Sequence, residues 1–525
     1  MTINKNIKKT VSIILLGCFI FPLLATGQVN AETDWTSVSG STTSPWISDA
    51  GSPAYENGLN VLWSNIGLIP SEDDMASEWQ TPSTAISVGS FAYYYDDLAE
   101  QIKKVNVVDG TVLDSVTLAV TGMYNVPITY GDGRLFVPVL SGGSITVKIF
   151  DAEDLDYIGE TNTPISKAQG MQGAVAFYEG YIYFGTYGSA ASGVDFACFD
   201  EDGVYKWGID GGSWSHAMVP QFVDFGATTY CIIASKGFGA GGTAGGTTVY
   251  VIDPITGSIY NSRKISAEFT LAGLAFYDGR VYVATQNEVA TVTHIHSYAL
   301  SESGTLSDEE TWTSALTGGT QSAPVIYNDR IYLGSGGETM GPSRNVEVIS
   351  IGDDGGMTSI YSVPIKTKST LALTTAYATE ANDHTVYLYC IPYNGLGNNP
   401  DVYIIEDSAD QVVAKYRGIE LEGEGDQFSY HSVGITSQGY LLIKNDKTLW
   451  CCEAEVLTFN VGDINCNEAV NIGDAVVLAQ YLAHMMRLSD DQMVYADTNG
   501  NDLVNIGDAV RLAQYLAHYD VELGA

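Results

Sequence analysis

The sequence predicts a mainly β protein: an eight-bladed β-propeller followed by a small all-α module. Two observations carry the propeller. A hairpin pattern recurs at near-equal spacing over most of the chain, and no helix-period segment interrupts it. A third observation, a duplicated loop-helix unit after residue 462, carries the helical module.

The chain has 525 residues, of which 45% are hydrophobic and 11% aromatic, enough apolar material for large cores, so a disordered chain is excluded. At about 100–200 residues per domain it has room for two to four domains. Acidic residues number 62 against 23 basic, a formal charge of -39, with no basic run beyond Lys8-Lys9. That balance excludes a nucleic-acid binder, which needs cationic side chains to displace phosphate counterions.

Residues 1–31 read as a secretion signal. Lys5, Lys8 and Lys9 supply the positive start, Val11 to Ala25 the apolar stretch, and Val29-Asn30-Ala31 the small residues of a cleavage site. A lipobox-like Leu15-Leu16-Gly17-Cys18 offers lipid anchoring as the alternative, but the apolar run continues past Cys18, where a lipid-attachment cysteine closes it. No later stretch approaches the ~18 apolar residues of a spanning helix, so no direct membrane insertion is expected and the mature chain is expected outside the cell. Its six cysteines, Cys198, Cys231, Cys390, Cys451, Cys452 and Cys466, lack metal-ligand spacing and are too few for a disulfide framework.

Residues 32–455 are expected to form the propeller. The unit is an apolar run, a Gly/Asp/Asn turn and a strand rich in Tyr, Val and Ile, as in 126–137, 174–185, 273–284 and 323–334. Its turns fall at Gly89, Gly133, Gly180, Gly226, Gly279, Asp329, Asp383 and Gly439, separated by 44, 47, 46, 53, 50, 54 and 56 residues. Second turns follow at Asp109-Gly110, Asp202-Gly203, 253–257 and Ser303-Gly304. Eight such periods predict a ring of four-stranded units without exposed sheet edges, with seven blades as the alternative. The last copy has room for three strands, and Leu59 to Ser64 is expected to supply its fourth. Asp253-Pro254-Ile255-Thr256-Gly257-Ser258-Ile259-Tyr260 resembles the D-x-x-T-G-x-x-x-W signature of the pyrroloquinoline-quinone-like repeat family, with Tyr260 in place of Trp.

Quinone-dependent dehydrogenases similar to that family carry an adjacent-cysteine disulfide over the cofactor. Here Cys451-Cys452 lies inside a strand-like run, so one side chain faces each side of the sheet and a structural role is expected, with no cofactor in the propeller. No nucleophile elbow, phosphate loop or HExxH motif is present. Trp214 and His216 precede the fourth copy, and Tyr430 and His431 the eighth. Such junctions gather around one mouth of a propeller channel, where aromatic rings stack on sugars and His moves protons, or where the same residues only pack between blades. His294 and His296 are two apart on a strand and point the same way, but no third ligand is near in sequence. Acidic pairs such as Asp73-Asp74, Asp96-Asp97, Glu309-Glu310 and Asp353-Asp354 sit in turn-like contexts and define no glycosidase pair.

After a short join at 456–461, free of Pro/Thr/Ser-rich sequence, residues 462–525 change character. Oxygen-bearing side chains occupy loop positions 1, 3, 5, 9 and 12 twice: Asp463, Asn465, Asn467, Asn471 and Asp474, then Asp497, Asn499, Asn501, Asn505 and Asp508. That spacing wraps a calcium ion, with the carbonyls of Ala469 and Leu503 at position 7. Position 12 is Asp rather than Glu, and Glu468 and Asp502 replace the position-6 Gly, which disfavours a sensor EF-hand. Each loop runs into a helix whose apolar face recurs at Ala475, Leu478, Ala479 and Leu482.

The duplicated unit closely resembles a type I dockerin over essentially 462–525. The resemblance implies two calcium ions and docking onto a cohesin module of a scaffold protein in extracellular plant-polysaccharide-degrading complexes. By position it assigns partner contacts to Ile472, Gly473, Ala479, Gln480 and His484, and to Ile506, Gly507, Ala513, Gln514 and His518. Ile-Gly replaces the frequent Ser-Thr pair at loop positions 10 and 11. The near-identity of the copies implies two docking orientations related by a half-turn. The expected function is that of a secreted cellulosome-type component whose propeller binds plant polysaccharide or a partner protein. The alternative is a propeller that is itself a polysaccharide hydrolase or lyase.

Overall fold

The structure, a computed structural model, describes residues 34–524 apart from 38, 44, 56–57, 67–82, 97, 119–125, 142–143, 164, 166–174, 187–193, 211–218, 239–243, 272, 288, 335–344, 393–399, 424–431, 446, 456–460, 468, 489, 502 and 520. The signal segment and cleavage site at 1–31, and most of the 456–461 join, lie outside the described residues. The chain divides into two compact units: the residues up to Tyr55 with Val61–Glu453, and Glu56–Asn60 with Ala454–Ala525. No described helix is long and apolar enough to cross a membrane.

The first unit is built of eight separate sheets, each with four antiparallel strands at its heart, so the count is eight blades rather than seven. They span 86–117, 129–160, 176–209, 221–265, 268–313, 325–363, 372–419 and 434–454. The eighth is completed by Leu59–Ile66, which pairs with Thr448–Ala454 and closes the ring with a strand from the other end of the sequence. All eight turns named from the sequence adopt positive φ, Asp329 and Asp383 included, at 56° and 48°. A tight hairpin demands that conformation, and Gly, Asp and Asn are the residues that tolerate it.

First strands lie at the centre of the ring and last strands at its rim. Ile86–Val88 is buried or nearly so along its length, whereas Val112–Thr117 and Tyr157–Glu160 are largely exposed. Cores fill the space between neighbouring blades. One joins Ile86, Tyr93 and Ile102 to Leu135, Val137 and Phe150, and the closure is sealed by Leu442, Leu449 and Cys451 against Ala85, Ala92 and Val105. Each such side chain contributes about 1.5–3 kcal/mol by leaving water. A repeated polar contact fixes the angle between blades. An aromatic of the second strand reaches a turn carbonyl of the next blade, as Tyr93 Oη to Ala152 O at 2.8 Å and Tyr230 Oη to Glu302 O at 2.6 Å. Tyr183 Oη reaches Pro254 O at 3.2 Å in the same way.

The segment ahead of the first blade occupies the channel, which the sequence pattern did not disclose. Tyr130 and Phe222, on the inner strands of blades two and four, donate their backbone N–H to Thr36 O and Thr42 O at 2.8 and 3.2 Å. Thr42 Oγ1 donates to Phe177 O of blade three at 3.2 Å, and Trp35 bridges Ser87 of blade one. Ile47–Ser48 then runs parallel to Ala372–Thr374 of blade seven. A segment that satisfies the free inner edges of five blades lies at the axis. Its run of Ser, Thr and Gly suits that narrow place: Ser37 and Ser39 share a hydroxyl contact at 3.0 Å, and Ser41 and Thr43 another at 2.9 Å. Trp35 and Trp46, 1% and 3% exposed, anchor its two ends.

The second unit carries helices α1 (Ile472–Leu482), α2 (Asp490–Ala496) and α3 (Ile506–Leu516). Ile464, Leu478, Ala496 and Leu512 are its fully buried centre, with Val470, Ala475, Val504, Ala509 and Leu516 packed around them.

Candidate calcium loops, docking face and propeller carboxylates

The two loops fold alike because each ends in a capping box. Asn471 caps α1 by accepting from Gly473 N–H at 2.7 Å, and Asp474 Oδ2 accepts from Asn471 N–H at 2.7 Å. In the second loop Asn505 accepts from Gly507 N–H at 2.8 Å, and Asp508 Oδ2 from Asn505 N–H at 2.8 Å. The other carboxylate oxygen folds the loop back: Asp474 Oδ1 accepts from Asn465 N–H at 2.8 Å, and Asp508 Oδ1 from Asn499 N–H at 3.1 Å. Asp463 Oδ1 and Asp497 Oδ1 accept from Asn467 and Asn501 N–H, both at 3.0 Å.

Asp463, Asp474 and Asp508 are buried, and no cationic side chain among the described residues pairs with them. Asp463 Oδ2 and Asn465 Oδ1 are buried without any hydrogen-bond partner. Unpaired buried carboxylates are costly, and oxygens left vacant side by side are what a hard, oxygen-seeking cation completes. The donor set therefore fits calcium. Glycine at loop position 11 also has a local reason. A Cβ on Gly473 would lie 2.7 Å from Asn465 Nδ2, and one on Gly507 3.1 Å from Asn499 Nδ2, crowding the position-3 side chains.

On the helices, Ala479, Gln480 and His484 are exposed, as are Ala513, Gln514 and His518. Ile472 and Ile506 are 73% and 71% exposed; Gly473 and Gly507 are half-buried. Val476 and Val510, half-exposed one turn further on, extend the same stripe, and the sequence reading passed over them. Their signal was available: they are identical in the two copies and fall at i+4 from the isoleucines.

Trp214, His216, Tyr430 and His431 lie outside the described residues. Cys451 and Cys452 are free, buried thiols. Cys451 sits in the core between blades eight and one, and burial pushes its thiol up to about 12. His294 and His296 do find a third neighbour, Glu268, from a strand 26 residues earlier. Burial raises the Glu268 carboxyl, but hydrogen bonds from His296 and Thr285 and the nearby imidazoles outweigh it and hold it at about 2.

Glu347 behaves oppositely. Burial pushes its carboxyl up to about 7, against a Ser314 Oγ–H donated at 2.7 Å. The folded state keeps that proton to higher pH than the unfolded chain, so stability is lost as pH rises from about 4.5 to 7. Glu347→Gln is expected to raise propeller stability by about 2 kcal/mol near pH 8 and to change it little near pH 5. Denaturant melts of the intact chain followed by Trp fluorescence at the two pH values check this; equal effects at both would refute it.

The molecule is thus an eight-bladed β-propeller followed by a small module of two capped, oxygen-rich loops, each leading into a helix. That module, over residues 461–517, matches the family model described as Dockerin type I domain. A type I dockerin binds calcium and implies a cohesin partner. No curated protein sequence matches the chain. Among solved structures the chain is similar to BamB from Moraxella catarrhalis, at 10% identity over 75% of this chain and 99% of that one, with a TM-score of 0.47. It is also similar to a europium-containing methanol dehydrogenase, at 10% identity over 68% and 89%, TM-score 0.42. The Dos1 propeller gives 11% identity over 75% and 95%, TM-score 0.43.

Proposed function

We propose that the chain is a secreted, extracellular component of a cellulosome-type assembly. Its C-terminal loops hold two calcium ions, one through Asp463, Asn465, Asn467, Ala469, Asn471 and Asp474, the other through Asp497, Asn499, Asn501, Leu503, Asn505 and Asp508. The observation that carries the docking role is the pair of matched exposed stripes, Ile472, Val476 and Ala479 on α1 and Ile506, Val510 and Ala513 on α3. Apolar side chains left this exposed on both helices of so small a module are a surface waiting to be covered. Because the stripes match, a cohesin can take either helix, in orientations related by a half-turn. The propeller is the cargo and binds plant polysaccharide or a partner protein. With residues 35–48 along its axis, the binding surface lies at an end or on the rim rather than along the bore.

The test uses the intact chain in calcium against a panel of type I cohesins and plant polysaccharides. Ile472→Asp or Ile506→Asp alone is expected to weaken cohesin binding only about twofold, and the two together at least about 100-fold, a loss of about 2.7 kcal/mol. If one single substitution abolishes binding, docking has one orientation; if the pair leaves it intact, the face lies elsewhere. Polysaccharide binding without new reducing ends or unsaturated products supports a targeting role, and turnover replaces it with a hydrolase or lyase.

A further inference from the structure

We propose that blade five carries a site for a borderline divalent transition metal, of the Zn2+ or Co2+ class, formed by Glu268, His294 and His296. Glu268–Phe269 is a short strand that pairs with Gln286 and Asn287, at the far end of Arg280–Asn287 from the Gly279 turn. His294 and His296 alternate along Thr293–Leu300, so both project from the same side of the sheet, with Thr285 directly opposite His294. One donor atom from each of Glu268, His294 and His296 lies within 4.8 Å of the other two.

The hydrogen bonding leaves the right atoms facing inward. His296 Nε2 is 2.8 Å from Glu268 Oε2, while its Nδ1 lies 3.2 Å from Glu309 Oε1 and 3.3 Å from Thr311 Oγ1. With Glu309 taking the outer ring N–H, the inner Nε2, which shares a hydrogen bond with Glu268 Oε2 in the metal-free chain, would ligate once the metal replaces that proton, the usual support for a metal-bound imidazole. Tyr298 Oη in turn donates to Glu309 Oε1 at 3.1 Å, and Thr285 Oγ1 to Glu268 Oε2 at 2.6 Å, so both carboxylates are themselves oriented. His294 Nδ1 is buried and makes no hydrogen bond, although Glu268 Oε1 is only 3.2 Å away. Two donor atoms that close, without a proton shared between them in good geometry, converge on a common third centre.

Two imidazoles and a carboxylate select borderline first-row ions over calcium, which prefers six or more oxygens. Three protein ligands leave a fourth position open. The Glu268 and His294 side chains are 19% and 20% exposed, so that position is reachable from solvent. The competing role is a proton-sharing cluster in which a protonated His296 bridges Glu268 and Glu309. Metal binding separates the two.

The experiment is a Co2+ titration of the intact, untagged chain in excess Ca2+, which keeps the oxygen-rich C-terminal loops filled. Dialysis equilibrium gives the stoichiometry, and visible d–d absorption reports the ligand set. One equivalent of Co2+ is expected, with N/O bands and no thiolate charge transfer. Glu268→Gln and His294→Ala should each weaken it at least about 100-fold, and Glu309→Gln, which meets His296 at its outer nitrogen and offers the metal no ligand, about tenfold. The exposed pair His484→Ala with His518→Ala should leave it unchanged. Trp fluorescence confirms folding, and the near-isosteric Glu268→Gln keeps the test decisive if His294→Ala is unstable. No Co2+ bound at tens of micromolar, wild-type affinity in the Glu268 variant, or loss of binding in the His484/His518 pair would each overturn the site.

Discussion

Stripping calcium from the intact chain will unfold the C-terminal module and leave the propeller standing. The module's fully buried centre is four side chains, Ile464, Leu478, Ala496 and Leu512, too little to hold about 60 residues against their conformational entropy. Against that small core stand Asp463, Asp474 and Asp508, at most 1% exposed and without cationic partners among the described residues. The backbone N–H groups donated to them offset part of the cost, at about 1.5–3 kcal/mol for a hydrogen bond to a charge, but they do not neutralise it. Asp474 and Asp508 also complete the capping boxes, so the same carboxylates that would ligate the ion start α1 and α3. Ion binding and helix nucleation are therefore one event, and binding free energy becomes folding free energy. All eight tryptophans precede residue 451, so their fluorescence reports the propeller alone. Chelation should remove far-UV helical signal and weaken cohesin binding by more than about a thousandfold, with Trp emission unchanged. Helical signal that survives chelation would refute the coupling. Asp474→Ala should disable one loop and Asp508→Ala the other.

What was legible in the sequence was local or repeated. The eight turns stood out because tight hairpins demand positive φ, and few residues supply it cheaply. The closing strand Leu59–Ile66 was legible because the last copy was one strand short. The axial segment was not, since no hairpin pattern marks it and the burial of Ser37, Ser39 and Ser41 depends on the blades assembled around them. Glu268 escaped for a related reason. Two histidines two residues apart announce a shared face, but their neighbour arrives through strand register from before the Gly279 hairpin, a distance that one-dimensional spacing does not encode. The two candidate calcium loops lie at the other extreme: all the donor side chains proposed for each fall within twelve residues, so spacing alone could single them out.

Asp407→Ala is expected to cost the propeller about 3–5 kcal/mol, the largest loss from any single described side chain between its blades. Asp407 is fully buried on blade seven and accepts four hydrogen bonds from blade six. Arg330 grips it with Nε to Oδ2 at 2.6 Å and Nη2 to Oδ1 at 2.9 Å, Tyr332 Oη donates to Oδ2 at 2.7 Å, and Tyr361 Oη to Oδ1 at 2.5 Å. Arg330 gives two further donors to Ala409 O and Gln411 O, at 3.0 and 2.8 Å. Burial holds the Tyr332 phenol well above its ordinary value, so it remains a donor at any pH the fold survives. The contact elaborates a motif of the whole ring. Arg134, in the same place after its hairpin turn, reaches Glu201 O on the next blade at 2.7 Å, and Tyr93, Tyr183 and Tyr230 make the corresponding tyrosine contact. In those three tyrosine contacts the acceptor is a backbone carbonyl; between blades six and seven it is a buried charge. Removing that charge strands a guanidinium and two phenols where water has no access, whereas replacing both partners, Arg330→Met with Asp407→Leu, removes the stranded groups as well. The double variant should recover at least half of the single variant's loss, which denaturant melts in calcium will read directly. A single-variant loss below about 1 kcal/mol would mean that water enters between the blades and takes over the acceptor's role.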